Sequence, residues 1–332
     1  MPSVQVDNQQ NRPKGTTPLR AGGSTIRSEQ ESVGHHDKVV VNGTSVYLLS
    51  DTHTDIEIVN DLKPLIEMAY DERKRPVRVV IEMRIHEITK DVLKQIDLKS
   101  SDRLADVLAT TFKVLNPEVT KVLFRTIAEM KNLGKVQSAE PIGFNERDRD
   151  SVKKFDRLYH SKTVLFKAFV DSRSFASAIK PFLGYQKMQN ELDTFLSHAQ
   201  VGELRRLLRD ESKQPIVLFV GSKHASYIRR VLNGEDSSEF DAVRPTIQGY
   251  LIYKLMADAA SSYEQERRKS ADVTHLSLEM ARFMLYLKVA TLIADTRGIP
   301  DLSKDEVSKI LHIESIAEIS DMFENPSKIK TL

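Results

Sequence analysis

Two short segments carry residue types able to do chemistry, and each follows an apolar run and ends in histidine: Leu48-Leu49-Ser50-Asp51-Thr52-His53 and Val220-Gly221-Ser222-Lys223-His224. In each, a small residue, Ser50 or Gly221, stands three positions before the imidazole, where a strand turning sharply into a helix needs room. A third segment, Val79-Val80-Ile81-Glu82, delivers a carboxylate to the end of a β-branched run. Imidazole nitrogen and carboxylate oxygen are ligands for manganese, cobalt, iron or zinc, and a carboxylate beside a metal-bound water is a general base. The chemistry indicated is divalent-metal hydrolysis, with His53, Glu82, His224 and Asp51 as ligands and Glu82 or Asp51 taking the proton.

The same residues also have structural readings, which stay open at this point. Asp51 or Thr52 can cap the following helix, Gly221 can serve only a tight turn, and Glu82 can pair with Arg84 or His86. Repetition of the small-x-x-His spacing after two buried-type strands is what favours a site. A further turn, Asn145-Glu146-Arg147-Asp148-Arg149, follows the short run Pro141-Ile142-Gly143-Phe144 and offers Arg147 as an anion contact; its alternative is a solvated charged turn that starts a helix.

These residues share a site only if their elements place them at one edge. Lys38–Val41 and Val46–Leu49 flank Asn42-Gly43, a strong hairpin signal. Val77–Ile81 reads as a strand by its β-branched content, Pro141–Phe144 as another, and the unbroken run Pro215–Val220 as a central strand covered on both faces. Thr246–Tyr253 reads as a further strand. Helical periodicity covers Asp55–Lys74, with a kink expected at Pro64, then Ser101–Leu115, Pro117–Leu133, a long region from Val152 to Leu208 and Ala225–Leu232. Ser262–Thr296 and Ser303–Phe323 follow, separated by Gly298-Ile299-Pro300.

The fold expected is α/β: a mostly parallel central sheet flanked by helices, with helical insertions at about 87–134 and 152–212, in a single domain spanning 38–332. In such sheets ligands bind outside the carboxyl ends of the strands, where His53, Glu82 and His224 would all lie.

Composition removes several classes. The chain has 332 residues and no cysteine, so thiolate nucleophiles, disulfides and Cys-ligated zinc or iron–sulfur clusters are excluded. Its 49 basic and 47 acidic residues leave a formal net charge of +2, too little for a whole-molecule attraction to nucleic acid, and no nucleic-acid motif is present. Nor is there a Walker-type or GxGxxG loop, HExxH or GxSxG. Residues 1–37, rich in Gln, Asn, Ser, Thr, Gly and Pro, read as a disordered tail without the apolar core of a secretory signal. The most apolar stretch, Leu276–Ala294, contains Glu279, Arg282 and Lys288, which marks a core helix rather than a transmembrane segment. The expected location is cytoplasmic, or exported by a non-classical route if the protein is an effector.

At the two turns the sequence resembles the TraB/ChaN/Tiki superfamily, which includes erythromycin-esterase-like proteins. That family has two Gly-x-x-His turns far apart in the chain, the first often Gly-Glu-x-His, and a glutamate at the end of the strand after the first. Ser50-Asp51-Thr52-His53 looks like the first turn, Glu82 like the strand-end acid and Gly221-Ser222-Lys223-His224 like the second. Ser50 stands where the family has glycine and Asp51 where it usually has glutamate. The resemblance implies a metal-dependent peptidase or esterase acting on a small-molecule or peptide substrate, with a polar or basic contact near Arg147. The family also includes a haem-iron-binding lipoprotein.

Two other readings use the same residues. One is a non-catalytic interaction or effector protein with a degenerate site. The other is a calcineurin-like metallophosphoesterase, suggested by Asp51-Thr52-His53; its Gly-Asp-x-x-Asp and Gly-Asn-His turns are not found. Oligomeric state is not encoded in any of these signals.

Overall fold

Asn42 and Gly43 take positive φ, 51° and 81°, the left-handed conformations a two-residue hairpin needs, and so join β1 (His36–Val41) to β2 (Thr44–Asp51). The computed structural model describes residues 36–51, 59–83, 85–112, 117–209, 213–234, 247–270, 273–297, 302–325 and 328. Three more strands complete one sheet: β3 (Val77–Glu82), β4 (Val136–Ile142) and β5 (Ile216–Gly221), in the order β1-β2-β5-β3-β4. Among the described strands only the β1–β2 pair is antiparallel; β2–β5, β5–β3 and β3–β4 are parallel. The expected α/β class, a mostly parallel sheet flanked by helices, is what the fold shows.

Every residue of β5 is buried, as its apolar run requires, and the two-residue period divides it between two cores. Val217 and Phe219 join Tyr47, Leu49, Val79 and Ile81 on one face. That face is covered by α1 (Leu62–Arg73), α2 (Glu87–Gln95), α3 (Ser101–Phe112) and α4 (Pro117–Asn132). Ile216, Leu218 and Val220 join Val46, Leu48 and Val80 on the other face, under α6 (Phe175–Leu208) and α7 (Ser222–Asn233). A third core lies away from the sheet, where the first turns of α6 pack with α8 (Ile247–Lys269), α9 (Leu278–Arg297), α10 (Lys304–Leu311) and α11 (Ile316–Glu324). The helix α5 (Arg149–Val170) forms a hairpin with α6, and Phe144, Phe155, Leu158 and Leu192 fill its base.

Several sequence expectations need correction. Within the expected strand Thr246–Tyr253, Thr246 lies outside the described residues and Ile247–Tyr253 is helix, part of α8, whose buried Leu255, Ala259, Ala260 and Tyr263 continue the apolar run at helical spacing. β4 begins at Val136 and stops at Ile142, short of Phe144, which turns into the small core under α5. The region 152–208 is broken by Ser174, whose side chain caps α6 by accepting from Ser177 N–H. Serine caps also split the two C-terminal expectations: Ser277 Oγ accepts from Met280 N–H at 3.2 Å ahead of α9, and Ser315 Oγ accepts from Glu318 N–H at 3.2 Å ahead of α11. Pro64 does not kink α1, because it sits in the first turn, where no intrahelical acceptor awaits its missing N–H. The supposed tail ends earlier, since His36 and Asp37 pair with Leu49 and Leu48 in the hairpin.

The charges inside Leu276–Ala294 finish other helices rather than facing lipid. Arg282 Nε donates to Ile313 O at 2.8 Å, and Lys288 Nζ donates to Ser172 O at 3.1 Å and to Val170 O at the end of α5. Among the described residues no helix is long and apolar enough to cross a membrane.

Leu218, fully buried in the central strand, makes the cost of this layering measurable. Leu218→Ala is expected to lower the unfolding free energy by about 2–5 kcal/mol, the range for a large-to-small change in a core that cannot collapse. Urea denaturation followed by circular dichroism checks it.

Candidate functional site

Parallel pairing aligns the carboxyl ends of β2, β5 and β3. Asp51 lies opposite Gly221 in the β2–β5 ladder, while the β3–β5 ladder ends at Ile81 opposite Phe219. Beyond that last pair the strands diverge into their turns, and the Gly221 N–H points toward β3 with no ladder carbonyl to meet it. Glu82 fills the gap. By strand parity it shares the face of Val80, toward α6 and α7, and its Oε2 accepts from Gly221 N–H at 2.5 Å. The carboxylate thus sits at the start of α7, where the helix dipole favours negative charge.

The other carboxylate oxygen reaches the imidazole. Glu82 Oε1 is 3.3 Å from His224 Nε2, and the His224 ring, in the first turn of α7, is buried. On its far side His224 Nδ1 meets Ser197 Oγ at 2.7 Å. A continuous line of polar contacts therefore runs from α6 through Ser197, His224 and Glu82 to the backbone of β5.

Ser197 was not among the residues singled out from sequence. It belongs to a run on α6, Gln186, Asn190, Asp193, Ser197 and Gln200, spaced four and three apart, which is one helical stripe. In sequence such a stripe reads as the solvent face. In the structure all five are buried, the polar middle of a helix whose ends lie in two apolar cores. Of their partners, one is local and one lies on α8: Gln189 Nε2 donates to Asp193 Oδ1 at 2.7 Å and Asn190 Nδ2 to Glu264 Oε1 at 3.4 Å. Burial, and then the charge of Asp193, push the Tyr185 phenol up to about 12.

The remaining sequence candidates divide. His53 and Thr52 lie outside the described residues, as does Arg84, and of Asp51 the backbone alone is described, at the shared strand edge. Ser50 lies one residue before that edge, half-buried and opposite Val220. Arg147 is not joined to the Glu82–His224 pair. It is exposed, 3.1 Å from Glu87, and its N–H donates to Asn145 Oδ1, while Asp148 caps α5. That arrangement is the charged turn starting a helix. His86 caps α2 by accepting at Nδ1 from Ile88 N–H at 3.1 Å.

A divalent ion fits the donor pair in one respect that can be checked by geometry. Two ligands with bonds of about 2.1 Å at a tetrahedral angle lie about 3.4 Å apart, and His224 Nε2 and Glu82 Oε1 are 3.3 Å apart. Among the described residues no group of three or more His, Cys, Asp or Glu side chains is placed to hold a metal, so any further protein ligand would have to come from outside the described side chains.

Removing Glu82 would orphan the Gly221 N–H and one nitrogen of His224. Glu82→Ala is expected to destabilise the fold by about 2–3 kcal/mol, the penalty for buried groups left unpaired. Glu82→Gln, which keeps an acceptor for Gly221, should cost about half as much; urea denaturation of both variants tests this. No family model matches the chain, and neither does any curated protein or solved structure, so the reading of this site rests on its own residues.

Proposed function

We propose that this protein is a divalent-metal-dependent hydrolase of the peptidase or esterase kind, with its centre at the carboxyl edge of β2, β5 and β3. The observation that carries the reading is the convergence of Glu82 and His224, from segments far apart in the chain, to 3.3 Å at that edge. His224 and Glu82 would hold the ion, with Asp51 and His53 completing its ligands. When bound, such an ion polarises a substrate carbonyl and lowers the pKa of its water to about 7.

The protein's own groups have separate tasks in this scheme. Gly221 N–H fixes the Glu82 carboxylate through Oε2, which leaves Oε1 as the oxygen that would either ligate the ion or, in place of ligation, act as the general base. Ser197 holds the His224 ring through Nδ1, so that Nε2 points at the same place. The TraB/ChaN/Tiki resemblance of the two turns agrees with this assignment and is part of the proposal.

A second reading is favoured by one observation: each oxygen of Glu82 and each nitrogen of His224 already has a partner within the protein. In that reading the line of polar contacts is a brace that holds α7 to the sheet, and the protein is a non-catalytic interaction module.

Elemental mass spectrometry on untagged protein separates the two. The hydrolase reading expects near-stoichiometric manganese, cobalt, iron or zinc, retained through gel filtration and lost in His53→Ala, His224→Ala and Glu82→Ala. Hydrolysis of peptide or ester substrates should fall at least a hundredfold in the same variants, while phosphoesters are not cleaved. Absence of metal after loading with manganese, cobalt or zinc would leave the brace reading.

A further inference from the structure

Charge is unevenly spread over the chain. Residues 149–190, which make up α5 and the first half of α6, hold nine Lys and Arg against three Asp and no Glu, while the other 290 residues hold 40 basic and 44 acidic ones. A nearly neutral molecule thus carries a local excess of six positive charges on one helical hairpin.

Four of those cations lie along one line of α5. Arg149, Lys153, Arg157, His160, Val164 and Lys167 are spaced four or three apart, all are exposed, and they stand opposite the buried Phe155, Leu158 and Phe169. At about 1.5 Å per residue the line is about 27 Å long. Cations on other helices are matched by an acid within a turn: Lys121 with Glu118 at 3.2 Å, Arg206 with Glu203 at 2.6 Å, Lys254 with Asp258 at 3.0 Å and Arg267 with Glu264 at 2.7 Å. Arg149, Lys153, Arg157 and Lys167 have no ion pair among the described residues. The other two cations of α5, Lys154 and Lys162, lie over the rings of Phe195 and Tyr159, each at 5.1 Å. A solvated helix face ordinarily mixes signs, because like charges in successive turns repel. A row of one sign is relieved by an anionic partner.

The shape of the row selects among polyanions. It is the convex ridge of a single helix, whereas proteins that track a nucleic-acid strand do so in a charged groove lined with stacking rings. Its middle is apolar: Val164 is 52% exposed on the line itself, and Tyr159 on the flank is 50% exposed. Phosphate tracking gains nothing from an outward valine. A lipid interface does, since it takes up an apolar side chain and a tyrosine at headgroup depth while Lys and Arg reach the phosphates.

We propose that the crest of α5 docks this protein on the surface of a bilayer rich in anionic lipid, lying among the headgroups without crossing the membrane. The inference goes beyond the hydrolase reading and does not depend on Glu82 or His224.

Co-sedimentation of the full-length protein with vesicles of phosphatidylcholine and phosphatidylserine tests it, with vesicles of phosphatidylcholine alone as the comparison. Wild type should bind the first and not the second. It should be released as salt rises from about 0.1 M to about 1 M, where the screening length falls from about 10 Å to about 3 Å. Each cation at such a surface is worth about fivefold in binding, so Lys153→Gln, Arg157→Gln and Lys167→Gln combined should weaken it about a hundredfold. Lys121→Gln, Lys254→Gln and Arg267→Gln combined, which remove the same charge from other helices, should leave binding close to that of wild type. The chain has no tryptophan, so Val164→Trp places a fluorophore at the crest alone. Its emission should shift to the blue on binding and be quenched by brominated lipid. That of Leu133→Trp, at an exposed position beyond the end of α4, should do neither. Far-ultraviolet circular dichroism checks that each variant is folded. No binding of wild type to the anionic vesicles, or binding that survives in the combined crest variant, would overturn the inference. So would binding of an oligouridylate through the same three cations with the vesicles ignored, which would make the crest a nucleic-acid surface instead.

Discussion

One carboxylate holds together the place where three elements end. The β3–β5 ladder stops at Ile81 and Phe219, α7 starts at Ser222, and between them the Gly221 N–H would be stranded without Glu82. Because an unpaired buried donor is expensive, the side chain that meets it is held firmly and its second oxygen is aimed. His224, in the first turn of α7, is then brought to that oxygen by the same turn that created the need. Structure and chemistry are coupled here through a single residue, which is why a brace and a reactive pair are both consistent with its contacts.

The layers around the sheet protect this arrangement. The face of Val80, Leu218 and Val220 is closed by α6 and α7, and those two helices supply Ser197 and His224. The opposite face is closed by α1 to α4. Remote from it, a polar cluster ties α1 to the hairpin: Ser45 Oγ donates to Glu72 Oε1 at 3.2 Å, Lys38 Nζ lies 2.8 Å from Glu72, and Tyr47 donates to the same carboxylate. Burial first, and then Glu72, push the Tyr47 phenol above its usual range. That cluster needs no catalytic explanation, since each of its charges is matched by a neighbour.

How much was legible in the sequence depended on whether a signal was local. The hairpin at Asn42-Gly43 and the central strand at Ile216–Gly221 were legible, because a left-handed turn and two-sided burial each leave a compositional mark. Glu82 and His224 were legible as strand-end and turn residues, though their 3.3 Å approach depends on strand order. Ile247–Tyr253 was misread because a short apolar run fits a strand and a helix alike, and the residues that decide it lie further on, at Leu255, Ala259 and Tyr263. Ser197 was invisible for a different reason. A polar helical stripe looks the same whether it meets water or a buried histidine, and only the tertiary placement of α6 tells them apart.

The strand order also bears on how the chain is made. β2 and β3 follow one another in sequence but are not neighbours, since β5 lies between them. As the chain leaves the ribosome, β1 with β2 and β3 with β4 can form as two separate pairs, each with an unpaired edge, and neither can be joined until Ile216–Gly221 emerges. Such edges invite pairing with other chains while they wait, for seconds at about 5–20 residues per second. The interval ends when the last strand slides into the vacant slot, and that insertion also carries Gly221 and His224 to Glu82. An assembled centre is thus a sign that synthesis of the sheet is finished, and a chain cut short before β5 has neither.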